Sequence, residues 1–485
     1  MIYHEGYQHL VTKAKGFKNS ELNLLERNYK KKRGKKMRRK GLLYCLVGFM
    51  IVGLLSGCLG SSPSDNTKED DKGEKGETPV IRIASTETGP ETMEVLENAG
   101  KEYEEKTGIK VEVEAVPLAD VFTKINATYG TSAQYDAFLS GYIGHIAMLE
   151  KEGKVAQVDD IIENIGGHDD FYNGHILFPI KEKTYWIPYD YNLSYGYIRK
   201  DWLEEKGLSV PKTWEELVNV AKAFTDKENN KYGLIMPLKS DGATNWVTSN
   251  LLWANDVRIF DDNWKVILDS DEMKPKVVES LNLLNELYPY MPAEAANASY
   301  AELTEAFISE QVGMTFYSGR LVDIIEQKRP DLADKFEVFG IPMKNGDGVS
   351  ASLGYDSIAV LNSEHTEETK KFVEWFYKEK LNDFLHTFGV HYFPAQESVY
   401  NSEEWRSDEV ITKYWETGVE PQYELLKNAK LHSIDSDGPE TDARPGEVFE
   451  AFLFPKLFQK VTLNNEDPEQ AVDDIAEEIR QLVGE

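Results

Sequence analysis

Cys58 ends the stretch Leu55-Ser56-Gly57-Cys58, and its thiol is placed for one specific chemistry. Upstream lies an uncharged run, Gly41 to Gly57, and before it the basic cluster Met37-Arg38-Arg39-Lys40. Positive charge, then an apolar run, then small residues is the order of a secretory signal. A cysteine directly after the cut reads as a lipobox: the thiol takes a diacylglyceryl group and the cysteine becomes the new N-terminus. An uncleaved anchor is the alternative, because the run sits at the lower limit of the roughly 17–25 residues a membrane span needs. Topology is outward in both cases. The other cysteine, Cys45, lies inside the apolar run, so no thiol pair is left for a disulfide.

Catalytic signatures do not accompany this thiol. The sequence has no His-Glu-x-x-His, no Gly-x-x-x-x-Gly-Lys-Ser/Thr and no Gly-x-Ser-x-Gly. His168-Asp169-Asp170 with His175 has metal-ligating residue types, but Gly166-Gly167 and Asn173-Gly174 mark a polar surface loop. Asp435, Asp437 and Glu440 lack the twelve-residue register of a calcium loop. Carboxylate pairs for glycoside hydrolysis carry no signal in so acidic a chain. No catalytic residue, metal or cofactor is expected.

The chain has 485 residues, 54 basic and 84 acidic, and a net charge of −30. The segment 1–57 is itself basic, so the exported part is more acidic still. A polyanion repels phosphates, which argues against a nucleic acid partner. Met37 is the expected true start, with 1–36 a mis-called extension, 37–57 the signal peptide and 58–78 a tether. Gly60 to Thr78 holds no large apolar residue and cannot fold alone.

The folded part must position whatever site exists. Val80 to Ala84 predicts a strand. Met93, Leu96, Ala99 and Tyr103 recur at helical spacing up to Gly108. Ile109, Val111, Val113 and Ala115 alternate with charged residues, and a helical stretch from Asp120 to Tyr129 leads to a strand at Tyr135 to Leu139. This βαβαβ order predicts a parallel sheet with covering helices. Thr213-Trp214-Glu215-Glu216 reads as a capping box opening a helix with Trp214, Leu217, Val218, Ala221 and Phe224 on one face. Asp467-Pro468 opens the last helix, with Ala471, Val472, Ile475, Ile479 and Leu482 on its buried stripe. The length exceeds what one core supports, so two α/β lobes are expected. Ligands of open parallel sheets sit beyond the carboxyl ends of the strands. The loops after the first and third strands therefore nominate Thr86, Glu87, Ser140 and Tyr142.

The stretch Pro188 to Phe224, with Lys200-Asp201, Gly207-Leu208 and Pro211-Lys212-Thr213-Trp214-Glu215-Glu216-Leu217, resembles the extracellular solute-binding proteins of ABC importers, in the maltose-binding-protein-like group. Phe307 to Met314, Leu353 to Val360 with the helix from Glu367 to Tyr377, and Ala443-Arg444-Pro445 with the last helix follow in family order. The resemblance implies a periplasmic-binding-protein-like α/β fold, two lobes joined by a multi-crossing hinge with a ligand cleft between them. Lobe one is then 79–189 plus 342–393, and lobe two 190–341 plus 394–485. It also implies an ABC permease as partner, ligand capture by closure, and a monomer without catalytic activity on the outer face of the cytoplasmic membrane.

Sugars present hydroxyls at their rims and C–H faces above and below, so a sugar site wants aromatic rings beside short polar groups. Tyr189, Asn192, Asn245, Trp246, Tyr317, Arg320, Tyr355, Asp356 and Arg444 stand in stretches of that make-up. Asn192 matches a ligand-contact position of the family, and the loop carrying Tyr355 lies at the family's cleft. Arg320 stands where relatives often put an aromatic platform, which suggests a charged or highly hydroxylated ligand. A mono- or oligosaccharide is the expected cargo. A polyamine, peptide, phosphate ester or iron ligand, or a secreted glycosidase, are the alternatives.

Overall fold

The computed structural model describes residues 79–172 and 179–485. The lipobox, the signal and tether segments and His175 lie outside them. The strands are β1 (Val80–Ser85), β2 (Lys110–Ala115), β3 (Ala137–Ser140), β4 (Ile187–Pro188), β5 (Asp190–Arg199), β6 (Tyr232–Ile235), β7 (Val312–Tyr317), β8 (Phe336–Phe339), β9 (Ile341–Pro342), β10 (Val349–Gly354), β11 (Ser357–Val360), β12 (Phe393–Pro394) and β13 (Lys430–His432). The helices that matter most below are α1 (Pro90–Thr107), α2 (Ile143–Lys151), α3 (Trp214–Phe224), α4 (Arg320–Lys328), α5 (Ala443–Glu450) and α6 (Pro468–Val483).

Two sheets organise the chain into two α/β lobes. The first runs β2-β1-β3-β11-β4. Its opening βαβαβ is parallel, as the alternation in the sequence predicts: β1 pairs in parallel with β2 and β3. The sheet is mixed rather than parallel throughout, because β11 returns antiparallel against β3 and β4 antiparallel against β11. The second sheet runs β13-β10-β5-β7-β6, with β8 and β12 also on β5 and β9 on β10. Its spine is β5, ten residues long and buried at nearly every position. Strand β10 pairs with β5 through Leu353↔Leu193, so Val349–Gly354 belongs to the second sheet and only β11 crosses back to the first.

Local signals explain the helices. Thr213 caps α3 by accepting Glu216 N–H at 3.1 Å. The return arm of the box goes elsewhere: the Glu216 carboxylate accepts Lys212 N–H at 2.7 Å. Val220, not Val218, completes the buried face of α3. Asp467 caps α6 by accepting Gln470 N–H at 3.1 Å, and Ala471, Val472, Ile475 and Ile479 are buried as the stripe predicts. Leu482 is 41 % exposed, because the helix runs past the core before it ends. No helix among the described residues is long and apolar enough to cross a membrane.

Candidate functional site

The carboxyl ends of β1 and β3 open towards the start of β5 and the ends of β7 and β10, and a cavity of about 240 Å³ fills the gap. Ten residues nominated from sequence line it: Thr86, Glu87, Tyr142, Asn192, Asn245, Trp246, Tyr317, Arg320, Tyr355 and Asp356. They come from loops, strand ends and helix starts far apart in the chain. Gly141 makes room for one of them: a methyl there would stand 2.3 Å from Asp356 Oδ1.

One wall is aromatic. Trp246 lies edge-on to Tyr300 and Tyr317, with centroids 6.3 and 6.4 Å away. Its indole N–H donates to Leu353 O at 3.1 Å, which fixes the ring plane. Tyr142 and Phe449 meet at 4.5 Å. Burial pushes the Tyr317 hydroxyl up to about 12, so it stays protonated as a donor. The other wall is polar. Asn192 Nδ2 donates to Asp356 Oδ2 at 3.1 Å, and Asp356 N–H donates to Asp190 Oδ1 at 2.7 Å. Burial, and then Glu87, push Asp356 up to about 7. Burial, and then Asp356, raise Asp190 well above the carboxylate range.

Arg320 opens α4 and reaches across to the first lobe. Its Nη2 donates to Glu87 Oε2 at 2.9 Å, and the Tyr392 hydroxyl donates to the same oxygen at 2.5 Å. The guanidinium also stands 4.7 Å over the Phe388 ring. Its charge is thus matched inside the protein, which removes the reason for expecting it to hold a charged ligand.

Three nominated residues do not line the cavity. Tyr189 is buried behind its floor, edge-on to Phe384 at 5.0 Å and to Tyr392 at 5.9 Å, because strand parity turns it into the core. Ser140 is buried and accepts Tyr142 N–H at 3.2 Å, so it shapes the loop instead. Arg444 pairs with Asp442 at 2.7 Å, stacks 4.1 Å over Trp264 and lines a separate outer groove. Conversely, Tyr300, His391, Asp435 and Phe449 line the cavity without having been nominated. Asp435 alone left a trace, as part of an acidic cluster.

Two acids of the metal-like segments, Asp170 and Asp437, are engaged by internal bonds. Asp170 accepts Ser398 N–H at 2.8 Å and Gln396 Nε2 at 2.9 Å. Asp437 is buried and accepts Phe260 N–H at 3.0 Å, Ile259 N–H at 3.2 Å and Arg258 Nε at 3.1 Å. Among the described residues, Asp190, Asp356 and His391 alone form a group with metal-ligand spacing, their atoms within 4.8 Å of one another. The positive Arg320 bears on all three, which opposes a second cation there.

The family pattern described as bacterial extracellular solute-binding protein matches residues 86–382. The putative ABC transporter periplasmic-binding protein YcjN of Escherichia coli is 22% identical over 374 residues, 75% of this chain and 83% of the relative. The polygalacturonan/rhamnogalacturonan-binding protein YtcQ of Bacillus subtilis is 24% identical over 423 residues, 82% of each chain. The crystal structure of an ABC transporter solute-binding protein from Thermotoga lettingae, bound with alpha-D-tagatose, superposes with a TM-score of 0.67 at 19% identity, covering 84% of this chain and 100% of that one.

Proposed function

The chain belongs to the bacterial extracellular solute-binding protein family, and from that premise we propose that it captures a small sugar or polyol for an ABC importer. The observation that carries this reading is a cavity lined by Trp246, Tyr300 and Tyr317 together with Asn192, Asp356 and Asn245. Rings take the C–H faces of a sugar, and amides and carboxylates take its hydroxyls. A cavity of about 150 Å³ holds benzene, so the ≈ 240 Å³ here suits about one sugar ring or a linear polyol.

In this reading the protein has no catalytic role and acts as a monomer. Lipid on Cys58 tethers it to the outer face of the cytoplasmic membrane, and a permease receives the closed form. In the same reading the lobes are 79–189 with 357–391 and 190–356 with 392–485, a division that the pairing of β10 with β5 supports. Closure brings Glu87 to Arg320, and ligand must favour the closed form for the permease to read it.

A thermal-shift screen of the purified protein against monosaccharides, polyols, disaccharides and polyamines tests the reading. Binding to the native state alone raises the melting temperature. A shift with a monosaccharide or polyol, recovered unchanged afterwards, is expected. A shift with polyamines alone, or breakdown of the sugar, would overturn it.

A further inference from the structure

The helical segment beside the cavity, Thr244–Thr248 followed by Asn250–Trp253, carries a row of unmade hydrogen bonds. Asn245, Ser249 and Trp253 recur at every fourth residue, which keeps them on one face. All three are 1 % exposed or less. Asn245 Oδ1, Ser249 Oγ and Trp253 Nε1 are each buried without a partner. Asn245 and Trp253, at the two ends of the row, line the cavity.

Polar side chains of the segment that lie off this row are bonded. Thr244 Oγ1 donates to Lys239 O at 2.6 Å, and Thr248 Oγ1 donates to Pro237 O at 2.6 Å. Asn250 Nδ2 donates to Ser194 O at 2.9 Å, and Asn250 Oδ1 accepts the Ser350 hydroxyl at 3.1 Å. Strand β10 packs against the segment and repeats the contrast. Ser350 is bonded, whereas Ser352, two residues on, lines the cavity and is fully buried with an unpartnered Oγ.

Packing alone does not account for Trp253. Its ring is held edge-on to His432 at 4.5 Å and against Phe454 at 6.4 Å. An apolar ring would fill that space without leaving a donor unmade, and a buried donor left unmade is costly. The same holds for Ser352, where alanine would fill the space equally well.

We propose that Trp253 and Ser352 bind hydroxyl groups of the ligand, Trp253 by donating its indole N–H and Ser352 through its own hydroxyl, and so decide which hydroxylated ligand the cavity accepts. This deepens the sugar reading and rests on it. The unmade set is mixed: an indole N–H donates, an amide oxygen accepts, and a serine hydroxyl does both. Ligand hydroxyls, which also donate and accept, complete such a set. A site built to bond a hydroxyl rejects the analogue that lacks it, because its own polar groups are then left buried and unpaired. The contacts that hold the Trp253 ring present its N–H without rearrangement.

Calorimetric titration of the purified protein with glucose, galactose, mannose, fructose, sorbitol and mannitol, then with the monodeoxy analogues of the tightest binder, tests the proposal. At least one monodeoxy analogue binds about tenfold or more weaker than its parent. Trp253→Phe keeps a ring and removes the N–H; it weakens the parent sugar or polyol about tenfold. It leaves one such weak analogue within about twofold, because the bond is already missing there. Ser352→Ala weakens the parent about fivefold and leaves the ligand-free melting temperature unchanged or higher, since the unmade hydroxyl is gone. Ser194→Ala is the matched control: Ser194 stands opposite Ser352 on β5 with an equally buried, unpartnered Oγ, but is not among the lining residues. Its affinity stays within about twofold of the parent protein. In Trp253→Phe or Ser352→Ala, an equal loss for the sugar and every deoxy analogue, or no loss, overturns the proposal and leaves the sugar reading standing. A loss in Ser194→Ala as large as in Ser352→Ala does the same. Binding by none of the six compounds overturns both.

Discussion

Gly144 and Gly446 meet backbone against backbone. A methyl built on Gly144 would stand 2.5 Å from Gly446 Cα, and one built on Gly446 would stand 2.7 Å from Gly144 Cα. Gly144 lies in α2, which follows β3 of the first sheet, whereas Gly446 lies in α5, far along the chain, which packs on both α2 and α6. Beside this contact Gly144 N–H points to Asp435 and His145 bonds Glu450. Two residues without side chains thus let α2 and α5 approach where the cavity wall is completed.

Gly446→Ala therefore props the lobes apart. Each lobe keeps its own core, so the fold survives with a loss of about 1–3 kcal/mol from overpacking. Ligand affinity falls at least about tenfold, because a wedge of one methyl opposes the closed form that binds. Small-angle scattering with saturating ligand should show a larger radius of gyration than in the parent. Equal affinity and equal compaction would mean that this contact does not limit closure.

The Glu87–Arg320 pair ties the lobes from the other side of the cavity. Glu87→Gln keeps the shape but removes the charge from an oxygen that accepts both Arg320 and Tyr392. Charged hydrogen bonds of this kind contribute about 1.5–3 kcal/mol each, so a stability loss of about 2 kcal/mol is expected. Glu87→Gln combined with Arg320→Met should lose less than the two single losses added together. Strict additivity in denaturant titrations would show that the two side chains do not cooperate.

The opening of the fold was legible because its signals are local. Alternation at Ile109 to Ala115, helical spacing from Met93 to Tyr103 and the caps at Thr213 and Asp467 each need only neighbours in sequence. Pairing is not local. Nothing near Val349 to Gly354 announces that it joins β5. The site divides the same way. Thr86, Glu87 and Tyr142 follow from the rule that ligands gather at strand ends. Tyr300, His391 and Asp435 are brought in by distant connections, and their own stretches carry no pattern that points at a cavity. Tyr189 shows the limit of composition, since a tyrosine beside the hinge has the right chemistry and the wrong parity.

Buried acids give the ligand-free protein an unusual pH response. Burial first, and then Glu87, put Asp356 at about 7. Burial likewise puts Asp323 at about 7, against the pull of the Val390 and His391 N–H groups it accepts. In the unfolded chain both titrate near 4. Between these values the folded state binds more protons at Asp356 and Asp323, so their contribution to stability falls as pH rises from about 4 to about 7; Asp190, raised further, extends the fall to higher pH, while the buried His391, with its lowered proton affinity, opposes it near its unfolded value of about 6.5. Acids lowered by ion pairs act in the opposite sense, as Asp331 does at about 2 beside Arg329. They have finished titrating by about pH 5. Urea titrations should give a lower midpoint at about pH 7.5 than at about pH 5.5 with the same slope, and Asp356→Asn should shrink the difference. A midpoint that rises over that interval would contradict the assignment.

Trp246 is the ring on which the sugar reading leans most. It is half-buried, held by the bond to Leu353 O and by edge contacts with Tyr300 and Tyr317, so its free face is presented without rearrangement. Losing such a face removes apolar contact area and the preference of C–H groups for an aromatic surface, about 1–3 kcal/mol in total. Trp246→Ala should thus weaken a bound sugar or polyol roughly 5- to 150-fold, while Trp246→Phe recovers part of it. Arg444→Ala is the matched control: Arg444 stacks on Trp264 in the outer groove, so its removal should cost stability and leave affinity within about twofold. Calorimetry on the three variants separates the cases. If Arg444→Ala weakens binding as much as Trp246→Ala does, the cavity described here is not where the ligand sits.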